Sequence, residues 1–206
     1  MPEVATTVII DYGMGNLRSV EKALAAVGGA PLVSGDPEVI RKSRNLILPG
    51  VGAFGDATEN LRRSGAEGAI REAVNKGTPL LGLCLGLQLL FSESEEFGAH
   101  RGLDFIPGKV RRFYEPGLRV PHVGWNQIES LQADPLLKDI PEGSYFYFVH
   151  SYFVEPDDLR DAIGWTQYGR RFCSIARRGN VWGAQFHPEK SQDSGKQLLR
   201  NFLSMS

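Results

Sequence analysis

The sequence predicts an α/β fold in which a central, mostly parallel sheet lies between two layers of helices. The first half of the chain alternates short apolar runs with segments of helical periodicity, a pattern typical of β-α units around a parallel sheet. In addition, the run Thr78–Leu83 is apolar along its length, as expected of a strand buried on both faces. We therefore expect a three-layer sandwich formed by one domain that spans residues 1–206.

The first three strands are each followed by a turn or helix signal. The strands are predicted at Thr7–Ile10, Ala30–Val33 and Asn45–Leu48. Asn16 is placed to cap a first helix, which the pair Gly28-Gly29 ends. Asp36 followed by Pro37 is the start signal of a short second helix.

A charged helical region separates the third strand from the fourth. Residues Glu59 to Lys76 have a helical pattern, and we expect interruptions at Gly65 and Gly68 because glycine weakens the interior of a helix. The fourth strand, Thr78–Leu83, then leads into a helix that carries four large apolar residues, Leu87, Leu89, Leu90 and Phe91.

The sequence changes character after about Gly98, where aromatic and β-branched segments are separated by turn residues. Four strands are predicted there, at Val110–Tyr114, Gly143–Val154, Phe172–Arg177 and Val181–Phe186. A hairpin turn at Arg178-Gly179-Asn180 joins the last two strands, and a closing helix runs from Ser194 to Leu203. No linker-like segment separates the two halves, which favours one domain.

Composition and charge exclude several classes of function. The 23 Lys and Arg residues nearly balance the 24 Asp and Glu residues, so the chain has no basic field for nucleic acid. The uncharged stretch Thr78–Ser92 is shorter than the roughly 18 residues that suggest a membrane span. The N-terminus lacks the basic flank of a signal peptide, so we expect a cytoplasmic protein. Glycine is in excess, at 24 of 206 residues, which predicts tight turns and close backbone contacts.

A candidate nucleophile follows the fourth strand. Gly82-Leu83-Cys84-Leu85-Gly86 has the G-x-nucleophile-x-G pattern, in which the glycines let strand and helix approach and a strained turn exposes the central side chain. The start of the helix also favours the thiolate form of a cysteine. A lone cysteine in an apolar run is ordinarily a core residue, but this context favours a nucleophile. Cys173 has no such surroundings and is interpreted as a packing residue.

A thiolate that must later protonate a leaving amine needs a histidine within hydrogen-bonding reach. His187 is the best placed of the four histidines, because it ends the apolar strand Val181–Phe186 and precedes Pro188 and Glu189. In extended geometry His187 and Glu189 point the same way, so Glu189 is expected to orient the imidazole while the other ring nitrogen faces Cys84. Such a pair alone is often a histidine beside a surface acid. Its coincidence with the cysteine motif favours catalysis.

Acyl transfer also needs hydrogen-bond donors for an oxyanion. The N–H of Leu85 directly follows the nucleophile and is the predicted first donor. The second is expected from the loop after the third strand, Pro49-Gly50-Val51-Gly52. Alone, this P-G-x-G sequence is most often a simple turn.

Taken in order, the P-G-x-G loop, the cysteine motif and the late His-Pro-Glu resemble the class I (triad) glutamine amidotransferases over essentially the whole chain. The resemblance implies a flavodoxin-like fold and hydrolysis of L-glutamine through a γ-glutamyl thioester. It implies that Cys84 is the nucleophile, His187 the base and acid, and Glu189 its orienting group. It also implies a glutamine pocket lined by Gln88, His150, Ser151 and Tyr152.

Three further motifs narrow this resemblance to members that supply ammonia to a synthase. They are Asp11-Tyr12-Gly13-Met14-Gly15-Asn16-Leu17, Pro121-His122-Val123-Gly124-Trp125-Asn126 and Phe148-Val149-His150-Ser151-Tyr152-Phe153. The resemblance then implies a heterodimer with a cyclase subunit, a (β/α)8 barrel, faced by Trp125, Tyr147 and Lys190. Taken alone, Trp125 is equally a core aromatic residue and Lys190 a solvated charge.

Other functions stay open at this point. They are the glutaminase component of another synthase, such as anthranilate or pyridoxal phosphate synthase, a non-catalytic binding module, and a thiol peptidase on the same sheet. A dinucleotide site is disfavoured, because Arg18 stands where the third glycine after Gly13 and Gly15 is required. The histidines also lack metal-ligand spacing, so we expect neither a cofactor nor a metal.

Overall fold

The structure is a computed structural model that describes residues 6–129 and 131–205. Its first half alternates strands and helices: β1 (Thr7–Ile10), α1 (Leu17–Ala26), β2 (Leu32–Ser34), α2 (Pro37–Arg41), β3 (Asn45–Gly50), α3 (Phe54–Arg63), α4 (Ala66–Asn75), β4 (Leu80–Cys84) and α5 (Leu85–Leu89). Its second half is mainly strands: β5 (Phe91–Ser94), β6 (His100–Arg101), β7 (Ile106–Arg112), β8 (His122–Gln127), β9 (Tyr145–His150), β10 (Tyr152–Pro156), β11 (Ala162–Tyr168), β12 (Arg170–Arg178), β13 (Val181–Ala184) and α6 (Gln192–Leu203).

Most of these strands form one sheet. Its order is β2-β1-β3-β4-β13-β12-β10-β7-β5-β6, with β11 beside β12. The five strands from β2 to β13 are parallel, whereas the neighbours of β12 and β10 run antiparallel. Strands β8 and β9 form a separate antiparallel ribbon. The predicted α/β class with a parallel sheet at its centre is confirmed.

Helices cover both faces of the parallel strands. Val8 and Leu46 belong to a buried cluster with residues of α2, α3 and α4, whereas their neighbours Ile9 and Ile47 belong to a second cluster with α1 and α6. This division follows from the alternation of side chains along a strand. None of the helices in the described part of the chain has the length and apolarity needed to cross a bilayer.

Local signals in the first half agree closely with the structure. Asp36 caps α2 by accepting a hydrogen bond from the N–H of Glu38 at 2.9 Å, and Gly28 ends the first helix with a φ of 90°. Asn16 occupies the position before α1, but its side chain makes no capping hydrogen bond. The helix start was thus predicted correctly, whereas the capping contact was wrong.

Two helix boundaries differ from the prediction. The charged helical region begins earlier, at Phe54, and only Gly65, at a φ of 75°, interrupts it, while Gly68 lies within α4. The helix after Cys84 is shorter than expected, because the carbonyl oxygens of Leu89 and Leu90 accept hydrogen bonds from N–H groups of the segment 103–106. Phe91 therefore begins strand β5.

Several strands in the second half of the chain differ from the prediction. The predicted strand Gly143–Val154 is two strands, β9 and β10, which separate at Ser151 and join different sheets. Strands β5, β6, β8 and β11 were not predicted, because their sequences mix polar and apolar residues without strict alternation. The last predicted strand ends at Ala184 rather than Phe186, which leaves 185–187 as the connection into the site.

The turn from β4 into α5 depends on two glycines. A Cβ atom on Gly86 would overlap the carbonyl oxygen of Leu48 on β3, and one on Gly82 would lie 2.5 Å from the carbonyl oxygen of Gly86. Both obstacles are backbone atoms, one in β3 and the other in α5, so they cannot move aside as a flexible side chain would. These contacts account for part of the glycine excess.

We expect Gly86→Ala to lower the free energy of unfolding by about 3 kcal/mol or more, because the added methyl group meets the backbone of β3. Urea denaturation measures the change. Gly68→Ala is the matched control: nothing lies within 4 Å of a Cβ at that position in α4, so this variant should be neutral or up to about 1 kcal/mol more stable. Equal stability of the two variants would contradict the steric argument.

Candidate active site

The predicted site residues meet at the carboxyl edge of the parallel strands, where ligands bind in open α/β sheets. Cys84 ends β4, the loop 51–53 follows β3, and His187 comes three residues after β13. Cys84 is buried and adopts a φ of 55° and a ψ of −109°, a strained conformation for a residue other than glycine. The structure thus holds Cys84 in the kind of turn that the G-x-C-x-G motif predicts.

One cavity of about 450 Å³ lies over Cys84. Its lining includes most of the residues that the sequence analysis assigned to the site: Val51, Gly52, Cys84, Leu85, Gln88, His150, Ser151, Tyr152, His187 and Lys190. The lining also includes four residues that were not predicted: Glu96, Phe97, Arg112 and Val149. Gly50 lies beneath the cavity, where a Cβ would come within 2.9 Å of the Leu85 Cβ and the Tyr12 hydroxyl.

His187 and Glu189 form a buried pair beside Cys84. The Nδ1 atom of His187 lies 2.8 Å from Oε1 of Glu189, and the two side chains are 6% and 2% exposed. Nε2 of His187 is buried without a hydrogen-bond partner among the described residues. Burial alone lowers the pKa of His187, but interaction with the nearby Cys84 sulfur and then the hydrogen bond and charge of Glu189 outweigh burial and raise this pKa to about 10. The arrangement therefore favours the imidazolium form of His187.

The sulfur of Cys84 has two polar neighbours besides His187. The carbonyl oxygen of Val149 and the Nε2 atom of Gln185 each lie 3.9 Å from Sγ. Gln185 was not predicted as a site residue, although the sequence contains a signal: it is a polar residue inside the apolar run Val181–Phe186. Its side chain is fully buried, and its Oε1 accepts a hydrogen bond from Gln88 at 3.2 Å.

The ring of His150 forms part of a wall behind the cavity. Its Nδ1 donates to the carbonyl oxygen of Tyr152 at 2.7 Å, and its Nε2 lies 2.9 Å from Nδ1 of His122. Burial lowers the pKa of His122 to about 4 and that of His150 to about 3. Both rings are therefore neutral near pH 7. His122, which the sequence analysis named within a motif without giving it a role, is a structural residue.

A hydrogen bond holds a residue that precedes the loop after β3. The hydroxyl of Tyr12 donates to the carbonyl oxygen of Pro49 at 2.9 Å, and Gly52 has a φ of 103° that favours glycine. Burial, followed by the charge of Cys84, raises the pKa of Tyr12, which keeps the hydroxyl protonated as a donor. Val51 is 43% exposed, so the middle of the loop is open to solvent or to a partner.

Besides His187 and Lys190, two charged side chains of opposite sign line the cavity. Glu96 accepts a hydrogen bond from the N–H of Phe54 at 2.7 Å, and burial raises the pKa of this carboxyl group. Arg112 lies at the end of β7 and contacts the ring of Tyr114. Neither residue belongs to a recognisable motif, so nothing in the sequence distinguishes them from solvated charges.

The three residues assigned to a partner form a connected patch next to the cavity. Trp125 is 46% exposed, and its ring centroid lies 6.0 Å from that of Tyr147 on the paired strand. Nζ of Lys190 lies 5.7 Å from the centre of the Tyr147 ring. Val123 and Val149 are exposed on the same side of the ribbon. We call this surface, formed by Val123, Trp125, Tyr147, Val149 and Lys190, the ribbon face.

No group of three or more His, Cys, Asp or Glu residues within 6–129 and 131–205 is arranged to hold a metal ion. The polar groups around Cys84 are hydrogen-bond donors, carbonyl groups and one base. They equip the site for nucleophilic attack by sulfur on an acyl carbon.

Residues 8–205 match the family model of the class-I glutamine amidotransferases, and the chain belongs to this family. Proteins with a higher sequence identity to the chain belong to one particular branch of this family. It is 52% identical over 194 residues to the imidazole glycerol phosphate synthase subunit HisH of Moorella thermoacetica, covering 94% of this chain and 92% of that protein. It is also 50% identical over 204 residues to the same subunit of Syntrophotalea carbinolica, covering 96% of this chain and 99% of that protein.

Solved structures share the fold at much lower sequence identity. A crystal structure of a glutamine amidotransferase superposes with a TM-score of 0.76 at 20% identity, covering 97% of both chains. The structure of PurLQS from Thermotoga maritima gives a TM-score of 0.74 at 18% identity, covering 96% of both chains. The predicted family and fold are thus confirmed.

Acidification from pH 6.5 to 4 is expected to destabilise the protein through His122 and His150. Their pKa values of about 4 and about 3 in the folded state lie below the value near 6.5 of an unfolded chain, so the unfolded state binds more protons in this range. Above pH 6.5 both rings are neutral in both states and contribute no slope. His187 acts in the opposite direction, since its stabilising effect is complete below pH 6.5 and is lost as the pH rises towards 10.

Urea denaturation at several pH values tests this expectation. His122→Phe should reduce the slope of unfolding free energy against pH between 6.5 and 4. The matched variant Gln132→Met removes a partly buried polar side chain that does not titrate and should leave the slope unchanged. Identical slopes in the wild type and His122→Phe would show that the buried rings do not control acid stability.

Proposed function

We propose that this protein is the glutaminase subunit of an imidazole glycerol phosphate synthase. As a single amidotransferase domain in the cytoplasm, it hydrolyses L-glutamine to glutamate and ammonia. It delivers the ammonia to a cyclase subunit, a (β/α)8 barrel that makes imidazole glycerol phosphate and AICAR in histidine biosynthesis. The observation that carries this proposal is the strained Cys84 beside the buried His187–Glu189 pair, in a chain about half identical to HisH subunits.

The cavity suits a small zwitterion. Free glutamine carries an α-ammonium and an α-carboxylate, and the cavity lining offers one carboxylate, Glu96, and two basic side chains, Arg112 and Lys190. We assign Glu96 to the ammonium and Arg112 to the carboxylate, with the side-chain amide directed towards Cys84. Gln88 and the segment His150-Ser151-Tyr152 form the wall along which the substrate lies.

The first half of the reaction forms a thioester. The Cys84 thiolate attacks the side-chain amide carbon of glutamine, and the carbonyl electrons move onto oxygen. The N–H of Leu85 and an N–H of the Val51 region stabilise this oxyanion. Nε2 of His187, which has no partner of its own among the described residues, gives its proton to the departing ammonia.

The second half of the reaction releases glutamate. The neutral His187 takes a proton from a water molecule, and the resulting hydroxide attacks the thioester carbon. The carbon–sulfur bond breaks, glutamate leaves, and the thiolate is restored beside the imidazolium. Glu189 holds Nδ1 of His187 at 2.8 Å throughout, which fixes the ring and stabilises its charged form.

Delivery of ammonia requires a partner that covers the mouth of the cavity, because ammonia protonated in bulk water is no longer a nucleophile. The ribbon face borders the cavity and exposes Val123, Trp125 and Val149. An exposed cluster of large apolar side chains marks an interaction surface. We therefore assign the ribbon face, including Tyr147 and Lys190, to contact with the cyclase.

Cys84→Ala should reduce glutamine-dependent synthesis by the assembled complex by roughly a thousandfold or more, because no other group forms the thioester. Synthesis from added ammonium chloride should continue at the wild-type rate, since the cyclase site is untouched. The matched control is Cys173→Ala, which removes a buried thiol from β12 and should leave both activities intact. Glutamine use that survives in Cys84→Ala would refute the assignment.

From the loop 51–53 we also expect that the partner subunit controls the rate of glutamine hydrolysis. If the Val51 region presents its donor only when the partner engages it, the isolated subunit lacks part of its oxyanion stabilisation. Glutaminase turnover should then rise by about a hundredfold when a cyclase subunit and its ligand are added, the usual effect of one oxyanion donor. Equal rates with and without the cyclase would rule out this control.

A further inference from the structure

Gln185 connects the nucleophile to the hydrogen-bonded wall behind the cavity. Its side chain is fully buried between Gln88 and Cys84. Oε1 accepts from Nε2 of Gln88 at 3.2 Å, and Nε2 lies 3.9 Å from Sγ of Cys84, within the longer range of hydrogen bonds to sulfur. The effect of this buried amide on the nucleophile depends on which of its two ends meets the sulfur.

The carbonyl group of Tyr152 decides that orientation. A carbonyl oxygen only accepts, and this one lies 3.1 Å from Gln88, so the end of Gln88 that faces it is Nε2. The same Nε2 then donates to Gln185, whose contacting atom is Oε1. The other end of Gln185 is therefore its NH2 group, and this donor is directed at Cys84.

The same carbonyl also fixes the two histidines. Since Nδ1 of His150 donates to Tyr152, the neutral ring can only accept at Nε2, and it accepts from Nδ1–H of His122. Nε2 of His122 then accepts from Asn126 at 3.3 Å. The amide of Asn126 is itself oriented by the carbonyl of Gln167, at 3.0 Å from Nδ2. Each side chain in this series of hydrogen bonds therefore has one orientation.

We propose that Gln185 is a catalytic residue of the glutaminase reaction, whose side-chain N–H stabilises the Cys84 thiolate in an orientation set by the carbonyl of Tyr152. This inference rests on the proposed function. In the protonated state, Cys84 donates to the carbonyl of Val149. When the sulfur ionises, that contact loses its proton, whereas the N–H of Gln185 gains strength as a hydrogen bond to a charged atom.

The charged and titratable groups that face Cys84 belong to several elements. His187 follows β13, Tyr12 follows β1, and His150 ends β9. Glu96, Arg112 and Lys190 line the same cavity. All of these groups are retained when only Gln185 is changed, so a difference between variants in the ionisation of Cys84 isolates the contribution of the amide.

The test is the pH dependence of Cys84 alkylation by iodoacetamide in the full-length chain, followed by mass spectrometry of the peptide that contains Cys84. Gln185→Met keeps a similar length but removes the donor. We expect the pH of half-maximal reactivity to rise by about one unit, the usual effect of one hydrogen bond to a charged group. Gln185→Glu still accepts from Gln88 but offers a carboxyl oxygen to the sulfur, and the rise should be at least as large.

The matched control is Gln132→Met, which removes a glutamine bonded to the carbonyl of Ala162, outside the cavity, and should leave the alkylation profile unchanged. Thermal unfolding verifies that each variant is folded, and Gln185→Glu, nearly identical in shape to the wild type, provides the test if Gln185→Met is not. Alkylation profiles of the Gln185 variants that match the wild type would overturn the proposal.

This outcome is separable from failure of the proposed function. If wild-type protein released no ammonia from glutamine in the presence of a cyclase, the function would be wrong, whatever the alkylation profiles showed. If glutamine use were normal and the alkylation profiles did not shift, only the role of Gln185 would be wrong.

Discussion

The whole site depends on the contact between α5 and the parallel strands. Helix α5 starts so close to β3 that Gly86 has no room for a side chain, and Cys84 takes up the strain of the turn that brings the helix there. A looser turn would let the cysteine relax into the core as an ordinary apolar residue. Close packing of backbone against backbone therefore holds Cys84, the proposed nucleophile, in a strained turn at a cavity on the edge of the sheet.

Two buried polar systems meet at this cysteine, and they differ in charge. On one side, His187 and Glu189 form a pair whose hydrogen bond and charge favour the imidazolium. On the other side, the hydrogen-bonded series from His122 through His150 to Gln185 consists of neutral groups, because burial lowers the pKa values of both histidines. A second cation there would compete with the first for the thiolate. Because these groups are neutral, His187 is the cation beside Cys84, as its proposed role in proton transfer requires.

Much of this arrangement can be predicted from the sequence where a residue type serves a single purpose. Glycines on both sides of a cysteine at a strand-to-helix junction indicate a tight turn, and a histidine two residues before a glutamate indicates an oriented base. The structure brings these residues together. Glu96 and Arg112 could not be found in the same way, since a charged residue in a loop or at a strand end is usually solvated. The split of 143–154 into β9 and β10 also escaped prediction, because a continuous aromatic run does not show which sheet each half joins.

Strand β9 has two different environments along one backbone. The side chains of Tyr147 and Val149 lie on the outer ribbon face, while the carbonyl of Tyr147 accepts the N–H of His187 at 2.9 Å and that of Val149 lies 3.9 Å from Sγ of Cys84. The thickness of a single strand therefore separates the outer surface from both His187 and Cys84. A rotation of this strand about its own axis would move the two carbonyl groups by the same angle as the side chains of Tyr147 and Val149, with no other residues needed to connect them.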